Sequence, residues 1–189
     1  MATLITVILD ESGSMQIKVD DVIGGFNRFL DDQKAGPDEC RLSLTKFNTR
    51  CTVVHGALPI KDVLALTAKT YTPGGNTALL DAIAESVRLA DKDKRAEDRV
   101  LCMIVTDGKE NSSRETTLEQ VRTIIKEREA RGDWTFTYLG ADPAQFSKES
   151  GMPGANAAAY DPTRPKVMFM SASAAADHYR ASPDRQSKN

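Results

Sequence analysis

Val7-Ile8-Leu9-Asp10-Glu11-Ser12-Gly13-Ser14-Met15 is the stretch on which the reading of this chain turns. An apolar run ends abruptly in a carboxylate, and two hydroxyls follow at two-residue spacing. Thr3 to Leu9 is β-rich and nearly continuous in apolar residues, the pattern of a strand buried on both faces of a parallel sheet. Asp10 then falls where that strand leaves the core. Asp-x-Ser-x-Ser in this place points to a divalent-cation loop, with Gly13 allowing a tight turn that aims Ser12 and Ser14 at one point. A competing reading makes the two serines caps of the next helix and Asp10 a turn residue.

Working outward, Val19, Val22, Ile23, Phe26, Phe29 and Leu30 recur at helical spacing, with charged residues opposite. Gly24-Gly25 inside this helix weakens it or lets it pack closely. Arg41 to Phe47 alternates, Asn48-Thr49-Arg50 is a turn, and Cys51 to Val54 is a second strand, so the pair reads as an antiparallel hairpin. Ile60 to Leu66 is expected to form a short helix. Tyr71-Thr72-Pro73-Gly74-Gly75-Asn76-Thr77 is a loop dense in turn formers. It feeds a helix carrying Leu79, Leu80, Ile83, Val87 and Leu89. Lys92-Asp93-Lys94-Arg95 reads as a solvated charge run.

Arg99 to Thr106 is a second buried strand, and it ends in Asp107-Gly108. A helix marked by Leu118, Val121, Ile124 and Ile125 stops at Gly132, and a strand runs from Trp134 to Leu139. Gln145 to Glu149 is a short helix, Ala157 to Tyr160 a last short strand, and Lys166 to Arg180 a C-terminal helix. Residues 182–189 are expected to form a frayed, disordered tail. Strands and helices alternate, with one hairpin inserted. The expected fold is α/β, a doubly wound, Rossmann-like and mostly parallel sheet with one antiparallel edge strand and helices on both faces. A single domain is expected over residues 1–181.

Composition narrows the function classes. The 189 residues are 40% hydrophobic and 28% charged, with a net charge of -2. No global basic field argues for nucleic acid or an anionic membrane surface. No apolar run approaches the ~20 residues that span a bilayer. Met1-Ala2-Thr3-Leu4 lacks the basic start of a secretory signal. Cys40, Cys51 and Cys102 have no metal-ligand spacing and read as free thiols in a reducing compartment, which places the protein in a cytoplasm.

In open α/β sheets ligands sit at the carboxyl ends of strands, where the strand order reverses. If the strands ending at Asp10 and Asp107 flank that point, both carboxylates meet at one edge. The Gly-rich loop ending at Thr77 reaches the same edge. Asp10, Ser12, Ser14, Thr77 and Asp107 are thus the candidate metal residues. All are hard oxygen donors, which suit Mg²⁺, with Mn²⁺ or Ca²⁺ as alternatives. Neutral hydroxyls leave the cation electrophilic, so that an outside carboxylate can complete its shell. Glu11, Asn76, Lys109, Glu110 and Asn111 are candidate contacts around the rim, with Glu11 expected to face solvent.

These three segments resemble the von Willebrand factor type A domain with its metal-ion-dependent adhesion site. The likeness rests on Leu9 to Met15, Tyr71 to Ile83 and Val105 to Asn111, and extends from Thr3 to about Gly140. More narrowly, Asp107 to Arg114 and Trp134 to Asp142 are similar to the small stand-alone intracellular members of bacteria and their phages. The resemblance implies direct ligation by Ser12 and Ser14. It implies direct or water-mediated ligation by Thr77, and contact mostly through water for Asp10 and Asp107. It also implies a binding module in which the cation takes an Asp or Glu of a partner protein.

The alternative is a metal-dependent hydrolase or phosphatase on a similar sheet. Such an enzyme would want Asp-x-Asp after its first strand, where this chain has Ser12. There is no Gly-x-Ser-x-Gly elbow, no phosphate-cradling Gly-x-x-x-x-Gly-Lys-Ser/Thr, and no obvious base. A non-enzymatic role is therefore expected. A self-assembling protein using a neighbour's carboxylate is a third reading.

Overall fold

A computed structural model describes residues 2–36, 38–140, 142–151 and 157–159, together with 169, 173, 174, 176, 177, 179 and 180. Six strands form one sheet in the order β3-β2-β1-β4-β5-β6. They are β1 (Thr3–Asp10), β2 (Cys40–Phe47), β3 (Cys51–Pro59), β4 (Arg99–Thr106), β5 (Trp134–Gly140) and β6 (Ala157–Ala159). All neighbours pair in parallel except β2 and β3. The helices are α1 (Val19–Ala35), α2 (Leu79–Asp93), α3 (Leu118–Ala130) and α4 (Pro143–Ser150). The doubly wound sheet with an antiparallel edge strand is thus the observed fold.

The alternation of β1 explains the two layers. Ile5, Val7 and Leu9 pack with Val22, Phe26, Phe29 and Leu30 of α1 on one face. Leu4 and Ile8 pack on the other face with Leu79, Ile83 and Val87 of α2 and Val121 and Ile125 of α3. A strand covered on both sides has no polar face, which is why Thr3–Asp10 is buried throughout. At the edge, β3 is half-exposed, as its mixed sequence requires.

Gly25 of α1 serves close packing: a Cβ there would stand 2.4 Å from the Phe169 ring. That ring meets Phe26 edge-on, with centroids 6.4 Å apart. Residues 169, 173, 174, 176, 177, 179 and 180 are helical, as expected. The rest of the expected Lys166–Arg180 helix, the end of the last strand at Tyr160 and the expected tail lie outside the described residues.

Three expectations need correction. Ile60–Leu66 forms only a single 3-10 turn, Ile60–Asp62. Its buried residues, Ile60, Val63 and Leu66, recur every third position, while Leu64 is 73% exposed. Backbone groups that a helix would pair are met instead by α1. Asn27 Nδ2 donates to Leu66 O at 2.9 Å, Leu66 N donates to Asn27 Oδ1 at 2.7 Å, and Lys34 Nζ donates to Val63 O at 2.8 Å. The hairpin's second strand runs on to Pro59 rather than Val54 because Arg41 and Leu42 still pair with Pro59 and Leu58. Finally, the charge run is not wholly solvated, since Lys94 lies 2.8 Å from Asp133 with its side chain only 14% exposed.

Candidate metal centre

The strand order turns back between β1 and β4, which are direct neighbours. Their carboxyl ends therefore open onto the crevice where ligands of such sheets sit. Asp10 is the last residue of β1, and Asp107 follows Thr106, the last of β4. The topology thus brings together two carboxylates almost a hundred residues apart in sequence.

Each carboxylate is held by short hydrogen bonds. Asp10 is fully buried. Its Oδ1 accepts from Ser12 N at 2.7 Å, and its Oδ2 accepts from Thr106 Oγ1 at 2.5 Å. Asp107 Oδ1 accepts from Ser14 Oγ at 2.6 Å, and Asp107 Oδ2 accepts from Lys18 Nζ. Ser12 Oγ and Ser14 Oγ lie 3.1 Å apart. Burial pushes the Asp10 carboxyl above its ordinary pKa, against the pull of its Thr106 and Ser12 hydrogen bonds, and the charge of Asp107 adds to the rise.

Thr77 arrives from the Gly-rich loop. Its backbone is clamped by Asn111, whose Oδ1 accepts from Thr77 N at 2.9 Å and whose N donates to Thr77 O at 3.1 Å. Gly108 fixes where the threonine hydroxyl lies. A Cβ on Gly108 would stand 2.9 Å from Thr77 Oγ1 and 3.5 Å from Asp10 Oδ2, so only glycine lets both oxygens share that side of the crevice. Gly13 N donates to Gly75 O at 3.0 Å, Gly74 N donates to Glu11 O at 2.9 Å, and Tyr71 OH donates to Asp10 O at 2.6 Å. The two loops are therefore laced together. Gly13 does not adopt the left-handed backbone of a tight glycine turn; its backbone instead sits against the Gly75 carbonyl.

The donor set suits a hard cation. Ser12 precedes the 3-10 helix Gly13–Lys18 but makes no side-chain capping bond, so its hydroxyl is turned to Ser14 rather than spent on the helix. A serine spacing of 3.1 Å is close to the edge of about 3 Å expected for an octahedron with Mg–O bonds near 2.1 Å. No group of three or more His, Cys, Asp or Glu side chains is arranged for a metal among the described residues. The chemistry of this crevice rests on hydroxyls joined to two carboxylates.

Among the rim candidates, Asn76 and Lys109 are exposed. Lys109 lines a cleft of about 310 Å³ beside Gly108, Tyr138 and Phe146. The other three are drawn into the framework. Glu11 does not face solvent: it is 7% exposed, its Oε1 accepts from Lys46 Nζ and from Thr72 N, both at 2.7 Å, and it ties the two loops together. Glu110 turns inward to accept from Leu80 N at 3.0 Å, Ser112 N at 2.8 Å and Ser113 N at 2.7 Å. It thereby places a carboxylate at the N-terminus of α2, where the helix dipole favours it. Asn111 is exposed but holds Thr77, as above.

Three residues escaped the sequence reading. Thr106 anchors Asp10, Lys18 pairs with Asp107, and Tyr71 holds the Asp10 backbone. A threonine immediately before a strand-end aspartate, and a lysine one turn after Ser14, were the available signals.

Comparison with known proteins agrees with this fold. A von Willebrand factor type A protein from Catenulispora acidiphila is 17% identical with a TM-score of 0.61, over 92% of this chain and 42% of that one. The type V pilus tip protein Mfa5 from Porphyromonas gingivalis is similar through its vWF domain, at 10% identity, a TM-score of 0.65 and 97% of both chains. Proximal thread matrix protein 1 of the mussel byssus, solved with a zinc-occupied MIDAS motif, is 18% identical with a TM-score of 0.52, over 74% of this chain and 35% of that one. This chain thus spans less than half the length of the Catenulispora and mussel proteins. No curated protein sequence matches it. The family model for the von Willebrand factor type A domain matches residues 5–148, and the chain belongs to that family.

Proposed function

We propose that this protein is a metal-dependent protein-binding module. Asp10, Ser12, Ser14, Thr77 and Asp107 would hold a divalent cation, Mg²⁺ by preference, and the cation would take the carboxylate of an Asp or Glu on a partner protein. When bound, the cation supplies an electrophilic position that a carboxylate can fill. The observation that carries this reading is the convergence of Ser12, Ser14 and Asp107 through contacts of 3.1 and 2.6 Å at the carboxyl ends of β1 and β4. Asp10 and Asp107 orient the hydroxyls and balance the cation's charge. Of the charged side chains at the crevice, Glu11 is committed to Lys46 and Lys18 to Asp107. The reading includes a reducing compartment, supported by the free Cys40, Cys51 and Cys102. No helix among the described residues is long and apolar enough to cross a membrane.

Thermal melting in EDTA and in Mg²⁺ tests it. A cation at 100 times its Kd stabilises by about 2.7 kcal/mol, which for a domain of this size raises Tm by about 5–10 °C. Asp10→Ala and Ser12→Ala should each remove that rise. An undiminished rise in the Ser12→Ala protein, if it folds with the wild-type circular dichroism spectrum, would remove the metal site. Capture of a partner should likewise be reversed by EDTA.

A further inference from the structure

We infer that Lys18 is a tethered cation built into the metal crevice, and that its ammonium competes with the divalent ion for Asp107. The inference rests on the metal-binding reading above and identifies a residue that sets the strength of that binding. Lys18 closes the 3-10 helix that begins at Gly13, so the same loop that presents the serine hydroxyls also delivers the ammonium. Its Nζ bonds Asp107 Oδ2, while Ser14 Oγ bonds the other oxygen of the same carboxylate at 2.6 Å. The pair is screened from water, with side chains 10% and 5% exposed. Asp107 thus has both oxygens engaged, one by a hydroxyl of the candidate ligand set and one by a positive charge.

The reason for such a lysine lies in the charges around it. Asp10 and Asp107 are joined through one short loop: Ser12 N bonds Asp10, Ser14 Oγ bonds Asp107, and the two serine hydroxyls lie 3.1 Å apart. The third carboxylate nearby, Glu11, is already neutralised by Lys46 at 2.7 Å. Lys18 is therefore the cation that compensates the Asp10–Asp107 pair from within the chain. A buried carboxylate pair without a counter-ion is costly, so this lysine holds the crevice together before any metal arrives. To the extent that the metal must break the Lys18–Asp107 contact, the free energy of that contact is subtracted from metal binding. The metal affinity is then set by how far the divalent ion outbids a lysine it finds in place.

Titration calorimetry with MgCl₂ on wild type, Lys18→Met and Lys18→Arg tests the inference, alongside melting in EDTA and in saturating Mg²⁺. Lys18→Met should bind Mg²⁺ more tightly, by a factor of about 5–150, the usual range for coupled sites. It should melt lower than wild type in EDTA and regain most of that loss in Mg²⁺. Lys18→Arg keeps the charge and should keep the weaker, wild-type affinity. Weaker Mg²⁺ binding by Lys18→Met would show Lys18 to be a positioning residue for Asp107 and overturn the inference. An equal loss of Tm with and without Mg²⁺, or equal tightening in the arginine variant, would overturn it too. If wild type itself binds no Mg²⁺, Mn²⁺ or Ca²⁺, the metal reading fails first and takes this inference with it.

Discussion

Thr106→Val isolates one hydroxyl at the base of the crevice. The substitution keeps the shape of a side chain that is 1% exposed and sits at the end of β4. It deletes the donor to Asp10 Oδ2 at 2.5 Å and the acceptor of Gly108 N at 3.1 Å. A hydrogen bond to a charged group contributes about 1.5–3 kcal/mol, and a stranded, part-buried N–H costs about 1 kcal/mol more. A loss of about 3 kcal/mol follows, which for a domain of this size lowers Tm by about 6–12 °C. Urea unfolding and thermal melting in EDTA would measure it free of any metal. Thr106→Ser retains the hydroxyl and loses one methyl, so it should cost only about 1 kcal/mol. A Thr106→Val protein within about 0.5 kcal/mol of wild type, or a serine variant as weak as the valine one, would show that Thr106 does not hold Asp10.

Two further outcomes are expected. Gly108→Ala places a methyl 2.9 Å from Thr77 Oγ1 and 3.4 Å from its Cγ2. Thr77 must then turn away, and Mg²⁺ affinity by calorimetry should fall about 10- to 100-fold, while Tm in EDTA changes little. Asp81 accepts from Arg114 N, Glu115 N and Thr116 N at 2.8–3.1 Å. Burial pushes its carboxyl up, but those bonds together outweigh burial and hold its pKa below the ordinary value. A depressed folded-state pKa means a contribution that is complete above the unfolded value of about 3.9 and is lost as pH falls through the folded value. The stability gap between wild type and Asp81→Asn, read by urea unfolding, should be about 1 kcal/mol at pH 7 and close on acidification below pH ~4.

What the sequence made legible is what local chemistry determines. The apolar runs of β1 and β4 end in Asp10 and Thr106-Asp107, and neighbouring strands in a doubly wound sheet bring such ends together. The helices α1 to α3 follow from periodicity, and α3 from the stop signal Gly132, which has positive φ. What stayed hidden are choices made by partners far away in the chain. Glu11 read as solvent-facing and Glu110 as a rim contact, and besides the local bonds of Glu110 to Ser112 N and Ser113 N both reach across the chain. Their partners, Thr72 N and Leu80 N, lie 61 and 30 residues away. Lys18 carried no reading in the sequence, and its pairing is visible only once β4 places Asp107 beside it. Ile60–Leu66 misled for the opposite reason: its apolar spacing resembles a helix, but Asn27 and Lys34 of α1 take its backbone groups.

Charge gives a reason why the proposed metal crevice would take a carboxylate from outside. Glu11 is cancelled by Lys46, and Glu110 is spent on backbone N–H groups. That leaves Asp10 and Asp107 facing the crevice against Lys18, a formal charge of minus one. On the proposed metal reading, a dication joining this set, with the tethered Lys18 ammonium still at its edge, would turn the crevice net positive by one unit. Hydroxyls at Ser12, Ser14 and Thr77 add no negative charge of their own. Had any of those three been an aspartate, the crevice would be balanced by its own chain and indifferent to a partner. On the proposed reading, a single Asp or Glu from another protein would supply the missing charge. Replacing Ser12 by Asp should therefore preserve Mg²⁺ binding in calorimetry while weakening metal-dependent capture of a partner. Capture as strong as that of wild type would show that charge balance is not what selects the partner.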